Sequence, residues 1–365
     1  MTAEFKNTIG QQRIKSQIIR ALQNERQGHA YLFLGEGGVG KFSLALEFAQ
    51  MYLCKSENKP CGECENCKSI KKYSHRNFQY IFPLKLDEKQ RKIDDFTQDG
   101  WEYIYQKTRE RIEEPYSLIT DYSAPIYVNR IRDANDMIFG RRGEKTVTII
   151  EGIDTLSDIS LNTMLKTIEE PPVGALIILL ARYSVIPTIR SRCIVYRFSA
   201  PKSDEIKTWL KIKASEKSDE EISYIAEISQ NLPGAALIKL SENGKEIQKL
   251  TDTFAKIVFC EKTDFSRMIN LEKFIRENLE RNFDLAQQIL VYFISQIRIG
   301  FLCAANYSQI KPEIHIPNFK NWQQASLCSQ AVDDSMLSIK KSSPLLMVLA
   351  DLTIKLMEIF DERKI

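Results

Sequence analysis

The sequence predicts an α/β fold with a mainly parallel sheet, followed by an all-helical remainder. Short apolar runs suited to buried strands alternate with helical periodicity through residues 1–200. A glycine-rich loop joins the first of these strands to the next helix, and no strand-like run recurs beyond Pro201. Alternation of this kind builds parallel sheets, because each return to the sheet needs a crossover helix.

The elements follow in order. Ile14, Ile18, Ile19 and Leu22 fall at helical spacing and predict an amphipathic helix over 11–28. Tyr31 to Leu34 is a short apolar run ending at Gly35, a buried strand feeding a turn, and Phe42 to Tyr52 returns to helical periodicity. Val147 to Ile150 predicts a second strand, Ser160 to Glu169 a helix, and Leu176 to Leu180 a third strand. Leu84 to about Ala124 is rich in charge and in aromatics such as Trp101, Tyr103 and Tyr105, and reads as an inserted helical excursion. Asp204 to about Gly244 suggests short helices. From Lys245 to Ile365 the chain reads as helical throughout, with long amphipathic segments at Phe283 to Phe301 and Pro344 to Phe360. Three regions result, 1–200, 201–244 and 245–365.

A chain of 365 residues has room for two or three domains. With 43% hydrophobic and 27% charged residues it has the balance of an ordinary soluble protein, and a net charge of +3 is too mild to argue nucleic-acid binding. Met1 to Asn7 lacks the apolar core of a signal peptide. The strongest apolar run, Ala175 to Ala181, is far short of the ~20 residues a membrane helix needs, so a soluble cytoplasmic protein is expected.

Gly35-Glu36-Gly37-Gly38-Val39-Gly40-Lys41 matches G-x-x-x-x-G-K between a strand and a helix. Gly35, Gly37, Gly38 and Gly40 would let backbone N–H groups curl around a phosphate at a helix N-terminus, with Lys41 reaching the outer phosphates. The same glycines could serve a plain turn; the strand–loop–helix context favours the phosphate. The hydroxyl that should follow the lysine to bind Mg²⁺ is replaced by Phe42. Ser43 lies one residue late, about 100° further around the helix. After the second strand, Glu151 stands where a metal-binding carboxylate belongs, but Gly152 occupies the water-activating position. Asp154 is expected to cap the following helix. Two independent losses predict that ATP or ADP is held weakly or without turnover.

Four of the eight cysteines crowd together as C-x6-C-x2-C-x2-C, at Cys54, Cys61, Cys64 and Cys67. Four converging thiolates complete tetrahedral zinc with no open position, which makes a structural knob. Four cysteines can also hold an iron–sulfur cluster. Cys193, Cys260, Cys303 and Cys328 read as small buried hydrophobes. His75 and His315 lack metal-type spacing, and His29 is expected to pack or hydrogen-bond near the phosphate-loop strand.

Several stretches together resemble the clamp-loader family of AAA+ proteins. Ile9-Gly10-Gln11 is similar to the family's opening motif, and His29-Ala30-Tyr31-Leu32-Phe33 to its lead into the phosphate loop. Asn162 to Pro172, reading N-T-M-L-K-T-I-E-E-P-P, is close to its signature helix, and Ser191-Arg192-Cys193 reproduces its Ser-Arg-Cys motif. The likeness covers most of residues 1–200; the remainder agrees in size and class. It implies an AAA+ P-loop domain with a zinc knob (module 54–67), a helical lid at 201–244 and an all-α collar at 245–365. It further implies that Arg192 reaches across a subunit interface toward a neighbour's γ-phosphate; Arg190 suits a structural role equally well. Asn231-Leu232-Pro233-Gly234-Ala235-Ala236 looks like the second sensor with Ala235 where an arginine belongs. Partners implied are delta and gamma or tau subunits in a pentameric ring that opens a sliding clamp and places it on primed DNA. Loss of this chain's own phosphate-directed groups beside a retained finger implies a non-hydrolysing member. The alternative is an active gamma/tau-like or replication-factor-like motor subunit.

Overall fold

The structure, a computed structural model, describes residues 2–24, 28–92, 95–119, 122, 124–182, 185–260, 263–279, 282–305, 311–340 and 344–360. Parts of the expected helical stretches, 25–27, 93–94, 120, 121, 123, 261–262, 280–281, 306–310, 341–343 and 361–365, lie outside them, and residues 311–321, expected to be helical, are irregular. The chain divides into two compact units, one of residues 1–209 with 232–235 and one of residues 210–231 with 236–365.

The first unit opens with β1 (Thr2–Ala3), α1 (Gln12–Gln23), β2 (Ala30–Leu34), α2 (Lys41–Leu53), β3 (Asn58–Lys59), α3 (Glu65–Lys71) and β4 (Phe78–Ile81). The inserted region then supplies a 3₁₀ turn at Glu88–Gln90 and helix α4 (Gln98–Glu113), whose Thr97 hydroxyl caps it by accepting from the Gly100 N–H. There follow α5 (Val128–Gly140), β5 (Thr146–Glu151), α6 (Asp158–Glu169), β6 (Ala175–Ala181), the short α7 (Pro187–Arg190), β7 (Ile194–Arg197) and α8 (Ser203–Lys213), which leads into the second unit. The sequence patterns anticipate β2, β5 and β6; β4 and β7 are further strands. β7 is an edge strand with exposed Ile194 and Arg197, so its apolar signal is short and weak.

Among the described residues the main sheet has five strands in the order β4-β5-β6-β2-β7, all parallel. β2, β5 and β6 are buried along their whole length, as parallel strands covered on both faces must be. Alternation along β2 splits the core: Tyr31 and Phe33 pack with Ile18, Phe48 and Met51 on one face, while Leu32 and Leu34 pack with Ile131, Met164 and Ile168 on the other. β2 thereby delivers the glycine loop to the carboxyl edge of an inner strand, where ligands of open α/β sheets bind.

Asp154 does not cap the next helix. Ser157 does, its hydroxyl accepting from the Ser160 N–H, because α6 starts at Asp158. Asp154 sits in the preceding 3₁₀ turn and accepts from the Tyr122 hydroxyl at 2.6 Å.

The second unit holds α9 (Asp219–Ile228), most of α10 (Pro233–Leu240), α11 (Glu242–Cys260), α12 (Asp264–Phe274), α13 (Phe283–Ala304), α14 (Trp322–Lys340) and α15 (Leu345–Phe360). A capping box at Ser218 and Glu221 starts α9. α13 contains a 20-residue stretch, Leu285–Ala304, with hydropathy 1.3, long and apolar enough by composition to cross a membrane. Leu290, Phe293 and Ile297 of α13 are fully buried in the core of the helical unit, which accounts for that composition.

Candidate functional site

The phosphate loop has the backbone its glycines predict. Gly38 has φ 74°, and a Cβ there would stand 2.8 Å from the Gly234 Cα. Lys41 is buried and folds back on its own loop, its Nζ donating to the carbonyls of Gly35 and Glu36 at 2.6 and 2.7 Å. Burial pulls its pKa down to about 8 despite the nearby Glu151. The fold therefore disfavours this ammonium in full below about pH 8, and the penalty fades as pH rises toward the unfolded value of 10.5. Lys41→Met is expected to raise stability by about 2 kcal/mol near neutral pH. Melting curves of both proteins should converge between about pH 8 and 10.5; a Met variant that melts below wild type at pH 7 contradicts this.

The metal side of the site is filled by side chains. Phe42 is buried, and its ring stacks on Tyr80 with centroids 4.2 Å apart. The Glu151 carboxylate accepts from the Tyr80 hydroxyl at 2.6 Å and from the Arg111 guanidinium at 3.2 and 3.4 Å. That guanidinium comes from the last turn of α4 and lies over the Phe42 ring, 4.6 Å from its centroid. Ser43 points elsewhere, its hydroxyl 3.1 Å from that of Thr8. Gly152 has φ 82°, and a Cβ there would lie 2.6 Å from Pro83 Cγ, so no side chain fits at the water-activating position.

The mouth of the loop is also lined by the chain itself. Tyr116 packs its ring against Gly40, where a Cβ would meet Cε1 at 2.9 Å, and its hydroxyl accepts from the Ile9 N–H at 2.6 Å. Leu118 lies over Gly37 and Gly38, within 3.3 and 3.0 Å of their Cβ positions. Arg182 stacks on Tyr122 at 3.7 Å and covers Gly37. The Gly234 N–H donates to the Gly38 carbonyl at 3.0 Å, so the Pro-Gly of the second-sensor stretch closes on the loop with Ala235 beside it. As arranged, these residues do not fit a magnesium-bound nucleotide. The hydroxyl is absent, Glu151 is paired, and the cradle is packed.

None of Arg111, Tyr80, Tyr116, Leu118 and Arg182 is marked by a local sequence pattern. Glu47 is another such residue: buried in α2, it accepts from the backbone N–H groups of Lys6, Asn7 and Thr8 at 2.8–2.9 Å and pins the N-terminal segment beside the loop. His29 hydrogen-bonds the Ile168 carbonyl at 3.1 Å, in keeping with a packing role.

The four clustered cysteines converge. All four sulfurs lie within 4.8 Å of one another, with Cys54–Cys61, Cys54–Cys64 and Cys61–Cys67 at 3.6, 3.9 and 4.0 Å. Sulfurs about 2.3 Å from one tetrahedral ion stand ~3.8 Å apart, whereas a disulfide needs ~2.0 Å. The spacing suits one ion; a cluster of several irons would hold the thiolates further apart. Burial raises the Cys54 and Cys67 thiols, while the Cys64 N–H, 3.3 Å away, draws Cys61 down to about 6. A cation bound at the centre would keep the two buried thiols ionised. The set fits structural zinc. Cys328 is buried and Cys193 and Cys303 are partly so, while the side chain of Cys260 lies outside the described residues.

Arg192 follows α7 on the surface. Its guanidinium donates to the Thr188 carbonyl at 2.9 Å and pairs with Glu169, the last residue of α6, at 2.9 Å, with both side chains exposed at 38% and 44%. Arg190 is also exposed.

A parallel α/β sheet carrying a phosphate loop at the end of an inner strand defines a P-loop domain. Residues 10–202 match the family described as DNA polymerase III, delta subunit, and the chain belongs to that family. The DNA polymerase III delta-prime subunit of Haemophilus influenzae is 26% identical over 241 residues, covering 65% of this chain and 62% of that one. That of Bacillus subtilis is 23% identical over 251 residues, covering 68% and 63%. The tau/gamma subunit of Haemophilus influenzae is 29% identical over 210 residues, covering 56% of this chain and 25% of its own length. The match thus spans less than two thirds of each of these relatives. A solved gamma subunit-related protein from Thermotoga maritima superposes with TM-score 0.44 at 14% identity, covering 94% of this chain and 99% of that chain.

Proposed function

We propose that this chain is a delta-prime-like subunit of the DNA polymerase III clamp loader, a cytoplasmic stator that does not hydrolyse ATP itself. It would supply Arg192 to a neighbouring ATPase subunit. In this reading the AAA+ domain at 1–200 is followed by a lid at 201–244 and a collar at 245–365. The collar joins gamma or tau and delta subunits in a pentameric ring that places the sliding clamp on primed DNA.

One asymmetry carries the reading. The groups that would serve this chain's own triphosphate are gone, with Phe42 for a hydroxyl, Gly152 for a carboxylate and Ala235 for an arginine. The cation that would serve a neighbour is kept and exposed. A guanidinium delivered in trans neutralises charge spreading over the phosphoryl oxygens. The rival reading is a gamma/tau-like motor subunit, to which the 29% identity with a tau/gamma subunit over 210 residues points.

The two readings part on turnover. The purified chain is expected to release phosphate from ATP at background rate, with or without Mg²⁺. Robust release that disappears in Lys41→Met would establish the motor reading instead.

A further inference from the structure

We propose that the inserted region is a built-in plug: Arg111 takes the metal's place beside Glu151, while Tyr116 and Leu118 close the phosphate loop, so the chain holds its own nucleotide site shut. All three come from one short stretch, the end of α4 and the turn after it. Arg111 organises that stretch as well. Its Nη2 pairs with Glu151 at 3.2 Å, and its Nη1 donates to the Pro115 carbonyl at 2.8 Å and to the Ser117 hydroxyl at 3.3 Å. One guanidinium therefore neutralises the carboxylate left without a metal and folds the turn that carries Tyr116 and Leu118 onto the glycines.

The substitution is chemically coherent. A buried carboxylate needs a cation, and where no hydroxyl completes a magnesium site, a guanidinium stacked on Phe42 meets that need from within the chain. Tyr122, from the same inserted region, adds a second tie by donating to Asp154 and stacking under Arg182 over Gly37. A nucleotide would have to displace Leu118 from Gly37 and Gly38, and a magnesium ion would have to displace Arg111.

The inference goes beyond the non-hydrolysing reading and fails separately from it. The test is titration of the full chain with a fluorescent N-methylanthraniloyl ATP in the presence of Mg²⁺, with phosphate release followed in the same samples. Wild type is expected to bind weakly, without saturating over the range in which the variant saturates. The double variant Arg111→Met with Leu118→Ala keeps bulk over Phe42 but removes the charge and the cover, and should bind at least roughly tenfold tighter because a larger fraction is competent. Adding Lys41→Met should abolish that gain. Wild-type binding as tight as the variant's, or a folded variant that binds no better than wild type, overturns the plug. Binding without phosphate release would leave the stator reading standing; Lys41-dependent release would sink that reading. Should the double variant misfold, hydrogen exchange on wild type decides. Protection over residues 36–44 and 98–118 should be the same with and without Mg-ATP, and a ligand-dependent change in both segments overturns the proposal.

Discussion

Arg192→Ala, assembled into a reconstituted ring with its partner subunits, is expected to silence the ATPase site that this chain would serve under the proposed function. Arginine fingers contribute about 10³–10⁵ to turnover at the site they complete, so that site should fall to background. The ring as a whole is expected to lose that site's share of turnover. The folding of the chain should not change. Arg192 pairs with Glu169 on the surface, and exposed pairs of this kind contribute about 0.2–1 kcal/mol. The same weakness would let the guanidinium leave Glu169 for a phosphate. Arg192→Lys should remain impaired, since an ammonium lacks the planar fork that spans two phosphoryl oxygens. The measurement is steady-state phosphate release by the intact complex, with subunit composition checked by mass. Turnover equal to wild type in a fully assembled ring would remove the trans role.

How much of this could be read from the chain alone depended on whether the information was local. β2, β5 and β6 are buried on both faces, so each appears as an apolar run, and the glycine loop and the cysteine cluster announce themselves by spacing. The edge strand β7 and the helix α5 carry weaker patterns. Asp154 shows a different limit. Its position near a helix start suggested a cap, but Ser157 stood one residue before α6 and took that role, freeing Asp154 for Tyr122. Arg111 was least legible of all. It is one of many charged residues in α4, and it acquires meaning only when the chain brings it to Glu151, 40 positions away.

The losses at the nucleotide site read as independent in the sequence, and in the structure they are mutually dependent. A threonine at position 42 would remove the ring on which Arg111 and Tyr80 both rest. A glutamate at 152 would meet Pro83 and a left-handed backbone. Phe42→Thr and Gly152→Glu would therefore disturb the packing around Glu151 without rebuilding a metal site, since Arg111 would still hold the carboxylate.

Removing the metal from the cysteine knob is the other change expected to have a large effect, and a local one. Residues 54–67 are joined to the rest of the first unit through Cys54 at the end of α2, Cys67 and Ile70 in α3, and the short pairing of β3 with β1. Few backbone hydrogen bonds hold the loop between these anchors, among them Glu4 N–H to the Lys59 carbonyl at 3.0 Å. Structural zinc in small sites contributes on the order of 10 kcal/mol, more than such a loop can supply by packing. Cys61→Ser removes a thiolate from a position outside the buried core, so its effect reports the ion rather than a cavity. One zinc per wild-type chain is expected by elemental analysis, with the ion lost in the variant. Hydrogen exchange should then accelerate over residues 54–71 and at the N-terminal strand that β3 pairs with. The five-stranded sheet, whose core forms without the knob, should keep its protection. Iron in place of zinc would change the identity of the ion. Unchanged protection over 54–71 in a metal-free chain would show that the four thiols need no ion to hold their place.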